Sequence, residues 1–368
     1  MGRLESVVLA GGGTGGHVFP LLAFAACLRR HDPEVRITCL GGPRGLENEL
    51  IPPHGYELRQ VPAHQLPRSV NLDLLRTPDR MWRAARAAGR VLDDVDAQVV
   101  VGFGGYVAVP AYLAAWRREL PMVVHEVNVP PGIANRLGAL VTPHLAVGFE
   151  HQRRQVRSLR HARVVGVPLR RGIATLDRLA RRGQARVHFG LRPDAPVLFA
   201  FGASQGARSI NLAMAGAAKA VTAAGVQVLH VTGARNPDVD IPYDLPMPYV
   251  TRRFIDEMEL SYAAADLVLS RGGAITCAEL AAVGLPAVYV PYPHSNQEQR
   301  RNALPVVSAG GGLLVDDQLL SPAWIERNVL PLLLDEPRLA MMAANAAAHG
   351  RRDGDEALRD FVLEVVPG

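Results

Sequence analysis

"VVLAGGGTGGHVFP" runs from Val7 to Pro20. Apolar residues meet a run of glycines, and an apolar stretch resumes after His17. A short Val-rich run ahead of glycines predicts a buried parallel strand that turns tightly into a helix. Gly11, Gly13 and Gly16 spell G-x-G-x-x-G, the pattern of dinucleotide-binding units. Such a unit also needs an acidic residue at the end of its second strand, where it holds a ribose. The second strand is expected at 35–40, "VRITCL", and it runs into Gly41, Gly42, Pro43 and Arg44. Glu47 comes too late in the chain for that role. A nicotinamide cofactor is therefore not expected. His17 stands where the helix should begin, and a buried helix would not ask for a histidine there.

The unit of strand, glycine turn and helix recurs. Strands are expected near 6–10, 35–40, 98–102, 122–125 and 145–148, most of them followed by a helix. A second start comes at "PVLFAFGASQGARSIN", Pro196 to Asn211, with strands recurring near 226–231, 266–270, 287–290 and 312–315. This pattern predicts an α/β fold of two doubly wound, Rossmann-like domains. The first is expected over 1–167 and the second over 168–349, with a C-terminal helix in 350–368 packing back on the first. Sheets of this kind bind ligands beyond the carboxyl ends of their strands. Both glycine loops are therefore expected to look into a cleft between the domains.

Composition narrows the class. A chain of 368 residues, 48% hydrophobic and 20% charged, can bury two cores. Its net charge of +5 rests on arginine, with Lys219 the only lysine. Together with abundant Ala, Gly and Pro, this reflects a GC-rich coding bias. No aromatic-basic interleaving of the kind that reads RNA is present, so no nucleic-acid partner is expected. Cys27, Cys39 and Cys277 are widely spaced and form no CxxC, which suits a reducing cytoplasm. Residues 97–116 carry no charge and are long enough to span a bilayer, but Gly102, Gly104, Gly105 and Pro110 break them into strand, turn and helix.

The densest chemistry lies in "LSRGGAITCAELAAVGLPAVYVPYPHSNQEQRRNA", Leu269 to Ala303. A strand ends at Ser270, Gly272 and Gly273 turn, and Ala274 begins a helix. Free N–H groups and a positive dipole end at such a start make a diphosphate seat that needs neither lysine nor metal. Glu279, within the first turns, can accept from both hydroxyls of a ribose. The polar run from His294 to Asn302 follows the next strand's carboxyl end and suits sugar hydroxyls. Gln299 is the leading candidate, with Asn296, Gln297 and Glu298 behind it. Two D-x-D triplets, Asp94–Asp96 and Asp238–Asp240, lie at the wrong sheet end and in a proline-flanked loop, so no metal is expected.

The chain resembles the MurG family, the UDP-N-acetylglucosamine transferases that complete lipid II for peptidoglycan. "GGTGGHVFP" at 12–20, "GFGGYV" at 102–107, "HEVN" at 125–128 and "GASQGAR" at 202–208 follow one another in family order. "FIDEM" at 254–258, "GGAITCAEL" at 272–280 and "EQRRNA" at 298–303 continue it. The resemblance implies the GT-B fold, with acceptor on the N-terminal domain and donor on the C-terminal domain. By position, Thr14, Gly15 and Gly16 would face the donor sugar and diphosphate. Asn128 would touch the sugar, Arg170 the nucleotide, and Ser204 a phosphate. The backbone of Ile255 would read uracil. Ala274, Ile275, Thr276, Cys277, Ala278 and Glu279 would hold phosphate and ribose, with Glu298 and Gln299 at the sugar. Val127 and Val167 depart from the family, where Gln and Asn are common.

The reading that follows is an inverting hexosyltransferase without cofactor. It would move N-acetylglucosamine from UDP-N-acetylglucosamine to the muramoyl 4-hydroxyl of lipid I, with His17 as general base. The alternatives are a related GT-B enzyme serving another acceptor, such as a secondary metabolite, and a nucleotide-sugar-binding protein or epimerase. A lipid-linked acceptor calls for peripheral contact with an anionic membrane at its cytoplasmic face. Leu74, Leu75, Met81 and Trp82, ringed by Arg76, Arg80, Arg83, Arg86 and Arg90, are expected to provide it, joined by Trp116.

Overall fold

The computed structural model describes residues 3–63, 72–202, 206–233, 236, 239–293 and 297–367, the side chains of 72–77 excepted. The chain divides into two compact units. Met1–Arg170 and Asp353–Gly368 make the first, and Arg171–Arg352 the second.

The first unit holds a parallel seven-stranded sheet. Its strands are β1 (Ser6–Gly11), β2 (Arg36–Gly41), β3 (Glu57–Gln60), β4 (Val99–Gly104), β5 (Met122–Glu126), β6 (Leu145–Val147) and β7 (Arg163–Val164). Their order is β3-β2-β1-β4-β5-β6-β7, so the winding reverses between β1 and β4. Successive side chains of a strand face opposite ways. Val8 and Ala10 therefore enter one core with Ala88, Val100, Ala111 and Tyr112. Val7 and Leu9 enter the other with Leu21, Phe24, Leu358 and Val362. A strand buried on both faces needs no alternation, which is why the continuous apolar runs identify these strands.

The helix Gly354–Val365 supplies Leu358 and Val362 to that second core. An ion pair from Arg30 to Asp355 at 2.8 Å and a hydrogen bond between His31 and Glu356 at 2.6 Å hold its first turn to the helix Gly15–His31.

The second unit repeats the plan with β8 (Val197–Phe201), β9 (Gln227–Val231), β10 (Tyr249–Arg252), β11 (Leu267–Ser270), β12 (Ala287–Tyr289) and β13 (Gly312–Leu314). The order is β10-β9-β8-β11-β12-β13, all parallel, reversing between β8 and β11. Leu198, Ala200, Val228 and Leu269 pack on Ile210 and Met214 of the helix Arg208–Ala223.

Three strands, β3, β7 and β10, have no counterpart among the sequence expectations, and all three are sheet edges. "ELRQ" and "YVTR" are only partly buried, and "RV" is too short to show a pattern. The uncharged stretch 97–116 resolves into β4, a glycine turn and the helix Ala108–Arg117. Among the described residues, no helix is long and apolar enough to cross a membrane.

Candidate functional site

In each unit the carboxyl ends of the central strands meet glycine-bearing loops, at the point where the winding reverses. In the first unit, β1 delivers Gly12–Gly16 and β4 delivers Gly104–Tyr106. The two loops interlock. A Cβ on Gly105, which has φ +81°, would come within 2.2 Å of the Gly12 carbonyl oxygen. No other residue fits there, so the glycine lets two backbones touch.

His17 lies in the first turn of the helix Gly15–His31 and is half-buried. Its Nδ1 is 3.0 Å from the Gly12 carbonyl oxygen and 3.3 Å from the Thr14 hydroxyl. A carbonyl can only accept, so Nδ1 carries the proton and Nε2 carries the lone pair. Burial lowers the imidazole pKa from 6.5, while the bond to Gly12 and the charge of Glu47 pull it back up. The ring edge lies beside Gly104, where a Cβ would come 3.0 Å from His17 Cδ2 and 3.3 Å from Asn135 Nδ2. Arg170 stands over the Phe19 ring at 5.4 Å, one turn from Gly15 and Gly16.

β5 ends in the "HEVN" segment. The Glu126 carboxylate is buried and accepts from the Asn128 N–H at 2.7 Å, the Gly132 N–H at 2.8 Å and the Asn135 amide at 3.1 Å. Burial pushes its pKa up to about 7, against the lowering effect of those bonds. Asn135 in turn accepts from the Tyr112 hydroxyl at 2.8 Å. Asn128 is thus fixed at its backbone, with its side chain part-exposed. Val127 and Val167 are both buried, so these departures from the family fall in packed interior.

In the second unit, β11 leads through Arg271, Gly272 and Gly273 into the helix Ala274–Ala282. Arg271 is buried, and its guanidinium binds Asp317, the Val290 carbonyl at 3.1 Å and the Ser209 hydroxyl at 3.0 Å. That strap fixes the turn. The Cys277 N–H goes to the Gly273 carbonyl at 2.9 Å, and its thiol is buried. The N–H groups left without an intrahelical partner at the helix start are those of Gly273, Ala274, Ile275 and Thr276. Glu279 is buried and accepts from the Tyr262 hydroxyl at 2.7 Å, which sets its rotamer.

Gly272 permits a second close approach, because a Cβ there would meet the Gln299 carbonyl oxygen at 2.5 Å. This places the start of the helix Glu298–Ser308 beside that of Ala274–Ala282. Gln299 accepts from the Tyr292 N–H at 2.8 Å, and burial raises the Glu298 pKa. Ile255 lies part-exposed between β10 and the helix Met258–Ala264.

Ser204, His294, Asn296 and Asp238 lie outside the described residues. So do the side chains of Leu74, Leu75 and Arg76. Asp94, from the first D-x-D triplet, pairs with Arg59 at 3.1 Å. Sequence reasoning missed Glu47, Tyr106, Glu126, Asn135, Arg271 and Tyr262 as parts of the site. Glu126 and Tyr106 stand inside quoted motifs, but a single acid or phenol gives no spacing signal.

Comparison with known proteins gives these loops a class. Residues 7–143 match the glycosyltransferase family 28 N-terminal domain, and 197–358 match its C-terminal domain. The crystal structure of Acinetobacter baumannii MurG has 26% identity to this chain and a TM-score of 0.77, covering 98% of this chain and 99% of its own. The fold and its glycine loops are those of a GT-B glycosyltransferase. Two relatives are UDP-N-acetylglucosamine–N-acetylmuramyl-(pentapeptide) pyrophosphoryl-undecaprenol N-acetylglucosamine transferases. The one from Acidothermus cellulolyticus is 55% identical, covering 98% of this chain and 97% of its own. The one from Thermobifida fusca is 52% identical, covering 98% and 94%. The chain belongs to this transferase family, the MurG family.

Proposed function

We propose that the chain transfers N-acetylglucosamine from UDP-N-acetylglucosamine to the muramoyl 4-hydroxyl of lipid I, giving lipid II with inversion at the anomeric carbon. The observation that carries this reading is the set of interlocked loops around His17, in a chain more than 50% identical over almost its whole length to transferases of that name. Identity at that level does not favour a secondary-metabolite acceptor. In the first unit, Nε2 of His17 would take the proton from the attacking hydroxyl. Asn128 would bind a sugar, and Thr14, Gly15, Gly16 and Arg170 would face the donor's sugar and nucleotide. In the second unit the N–H groups of Ala274, Ile275 and Thr276, with Ser204, would stabilise the departing diphosphate as charge builds on it. Glu279 would hold the ribose, Ile255 the uracil, and Glu298 and Gln299 the sugar hydroxyls. The test is UDP release from a panel of UDP-sugars and acceptors. UDP-N-acetylglucosamine with a lipid I analogue should give the highest kcat/KM. Turnover of another acceptor with none of lipid I would overturn the reading.

On this reading the enzyme would work at the cytoplasmic face of the cell membrane, held there peripherally to meet a lipid-linked acceptor. Three buried free thiols suit that reducing side. Trp82 is 48% exposed under Arg86, whose guanidinium lies 4.6 Å from its ring, and Trp116 is 56% exposed beside Arg117. Arg80, Arg83 and Arg90 are exposed as well, and Met81 is half-buried. The helix Ile133–Gly138 and the residues after it add Ile133, Leu137 and Leu140, exposed at helical spacing around Arg136. Basic groups contribute about 1 kcal/mol each near anionic lipid and are screened by salt, while the apolar residues enter the interface. The protein is expected to sediment with vesicles containing anionic lipid, more weakly at high salt. Trp82→Ser combined with Trp116→Ser should reduce that binding without changing the melting temperature, because both rings are exposed. Equal sedimentation by the double variant would sink the idea.

A further inference from the structure

Glu47 sits in the short helix Glu47–Leu50 and is fully buried, at 0% exposure. Its Oε2 accepts from the Gly13 N–H at 2.7 Å. Its Oε1 accepts from the Gly42 N–H at 3.0 Å and the Tyr106 hydroxyl at 3.1 Å. Gly13 belongs to the first glycine loop, Gly42 to the exit of β2, and Tyr106 to the loop after β4. One carboxylate therefore joins three chain segments. Gly12 and Gly45 must be glycine around it, since a Cβ on either would come within 2.6 Å of a carboxylate oxygen. The single Tyr106 proton is shared between Glu47 Oε1 and the Arg44 carbonyl.

We propose that Glu47 is a positioning residue that holds both glycine loops of the first unit in place around His17. The proposal rests on the reading of those loops as the site of transfer. A buried carboxylate that accepts from two backbone N–H groups specifies one arrangement of its partners, because each N–H would otherwise lack an acceptor in a space closed to water; the Tyr106 hydroxyl, whose one proton is shared with the Arg44 carbonyl, adds a weaker tie. Gly12, the carbonyl that fixes the His17 tautomer, immediately precedes the Gly13 N–H that Glu47 holds. Losing that hold frees the peptide that orients the imidazole.

Glu47 also acts on His17 through charge. The groups facing His17 are Glu47 from its helix, Thr14 within the loop, and Asn135 across Gly104; Tyr106 stands behind Gly13, and Arg170 over Phe19. Asn135 and Thr14 are neutral, and burial beside Glu47 holds the Tyr106 phenol up at about 12. Removing the negative charge of Glu47 disfavours the imidazolium and lowers the His17 pKa further. The acid limb of the pH profile, where a base is lost to protonation, would move to lower pH.

The test uses the full chain with Glu47→Gln and Glu47→Asp. A glutamine is the same size but has one accepting atom where the carboxylate has two, so its NH₂ must face a donor. Amide exchange over 11–16 and 104–106 should quicken by roughly tenfold, about one lost hydrogen bond. Turnover should fall by about the same factor, with KM for a lipid I analogue nearly unchanged. The acid limb should shift down in Glu47→Gln and stay in Glu47→Asp, which keeps the charge. A folded Glu47→Gln with wild-type exchange in both loops overturns the proposal, as does one with a lower melting temperature but unchanged turnover and limb. If the wild type transfers no sugar to lipid I, the functional reading fails and the exchange measurement still decides what Glu47 does. If Glu47→Gln does not fold, Tyr106→Phe replaces it, with faster exchange of both loops expected and unchanged exchange overturning the proposal.

Discussion

His17→Ala should lower turnover by roughly 10²–10⁴-fold, the usual range for a lost general base, with UDP-sugar affinity nearly unchanged. The expectation rests on the tautomer. The Gly12 carbonyl, 3.0 Å from Nδ1, forces the proton onto that nitrogen and leaves the lone pair on Nε2. A base must also be unprotonated at working pH. Burial takes the imidazole below its ordinary 6.5, with Glu47 and Gly12 only partly opposing it. The acid limb of kcat/KM should therefore have its midpoint below 6.5, and activity should fall as pH drops through it. In His17→Ala that limb should vanish from whatever activity remains. Calorimetry with UDP-N-acetylglucosamine, alongside steady-state rates, separates loss of a base from loss of the donor. Near-normal turnover in a folded variant would leave His17 the lesser role of fixing the loop it caps.

The central strands were legible because burial on both faces writes continuous apolar runs, as in "VVLA" of β1 and "VLFAF" of β8. Glycines marked where the central strands β1, β4, β8 and β11 turned, and the helix beginning at Ala274 was readable from Gly272 and Gly273 ahead of an apolar stretch. The edge strands were not legible, because β3 and β10 are half exposed and bury no continuous face. The polar residues that hold the loops were the larger loss. Glu47 looked misplaced when judged by its distance along the chain from a ribose-binding position. In space it lies under the very loop that raised the question, 34 residues away, bonded to Gly13. Glu126 and Arg271 illustrate the same limit. Arg271 bonds the Val290 carbonyl that another strand brings to it, which follows from topology, and Glu126 bonds N–H groups of its own following loop, whose return to the carboxylate no residue spacing announces. Sequence reasoning reached the loops but not the side chains that fix their shape.

Glu279→Ala should weaken UDP-sugar binding by about 1.5–3 kcal/mol, the range for hydrogen bonds to a charged group. Glu279 belongs to the helix whose opening N–H groups would take the diphosphate, and on the proposed reading its carboxylate would meet the ribose attached to that diphosphate. The side chain does not wander. It is buried, and the Tyr262 hydroxyl at 2.7 Å holds Oε2. Tyr262 packs in T-shaped and tilted contacts with Phe199 and Phe201, so the rotamer is tied to the core of the unit. Holding the carboxylate in place before the nucleotide arrives reduces the ordering cost of binding. The same contact complicates the alanine variant, which also deletes an acceptor for a buried phenol and should lower stability. Glu279→Gln separates the two effects. Its amide oxygen can still accept from Tyr262, so the melting temperature should stay close to wild type. It keeps one accepting atom where a ribose diol asks for a charged pair, so affinity should still fall. Calorimetry with UDP-N-acetylglucosamine and a thermal melt on both variants decide the matter. Full affinity in a stable Glu279→Gln would make the residue a partner of Tyr262 alone and move the ribose elsewhere.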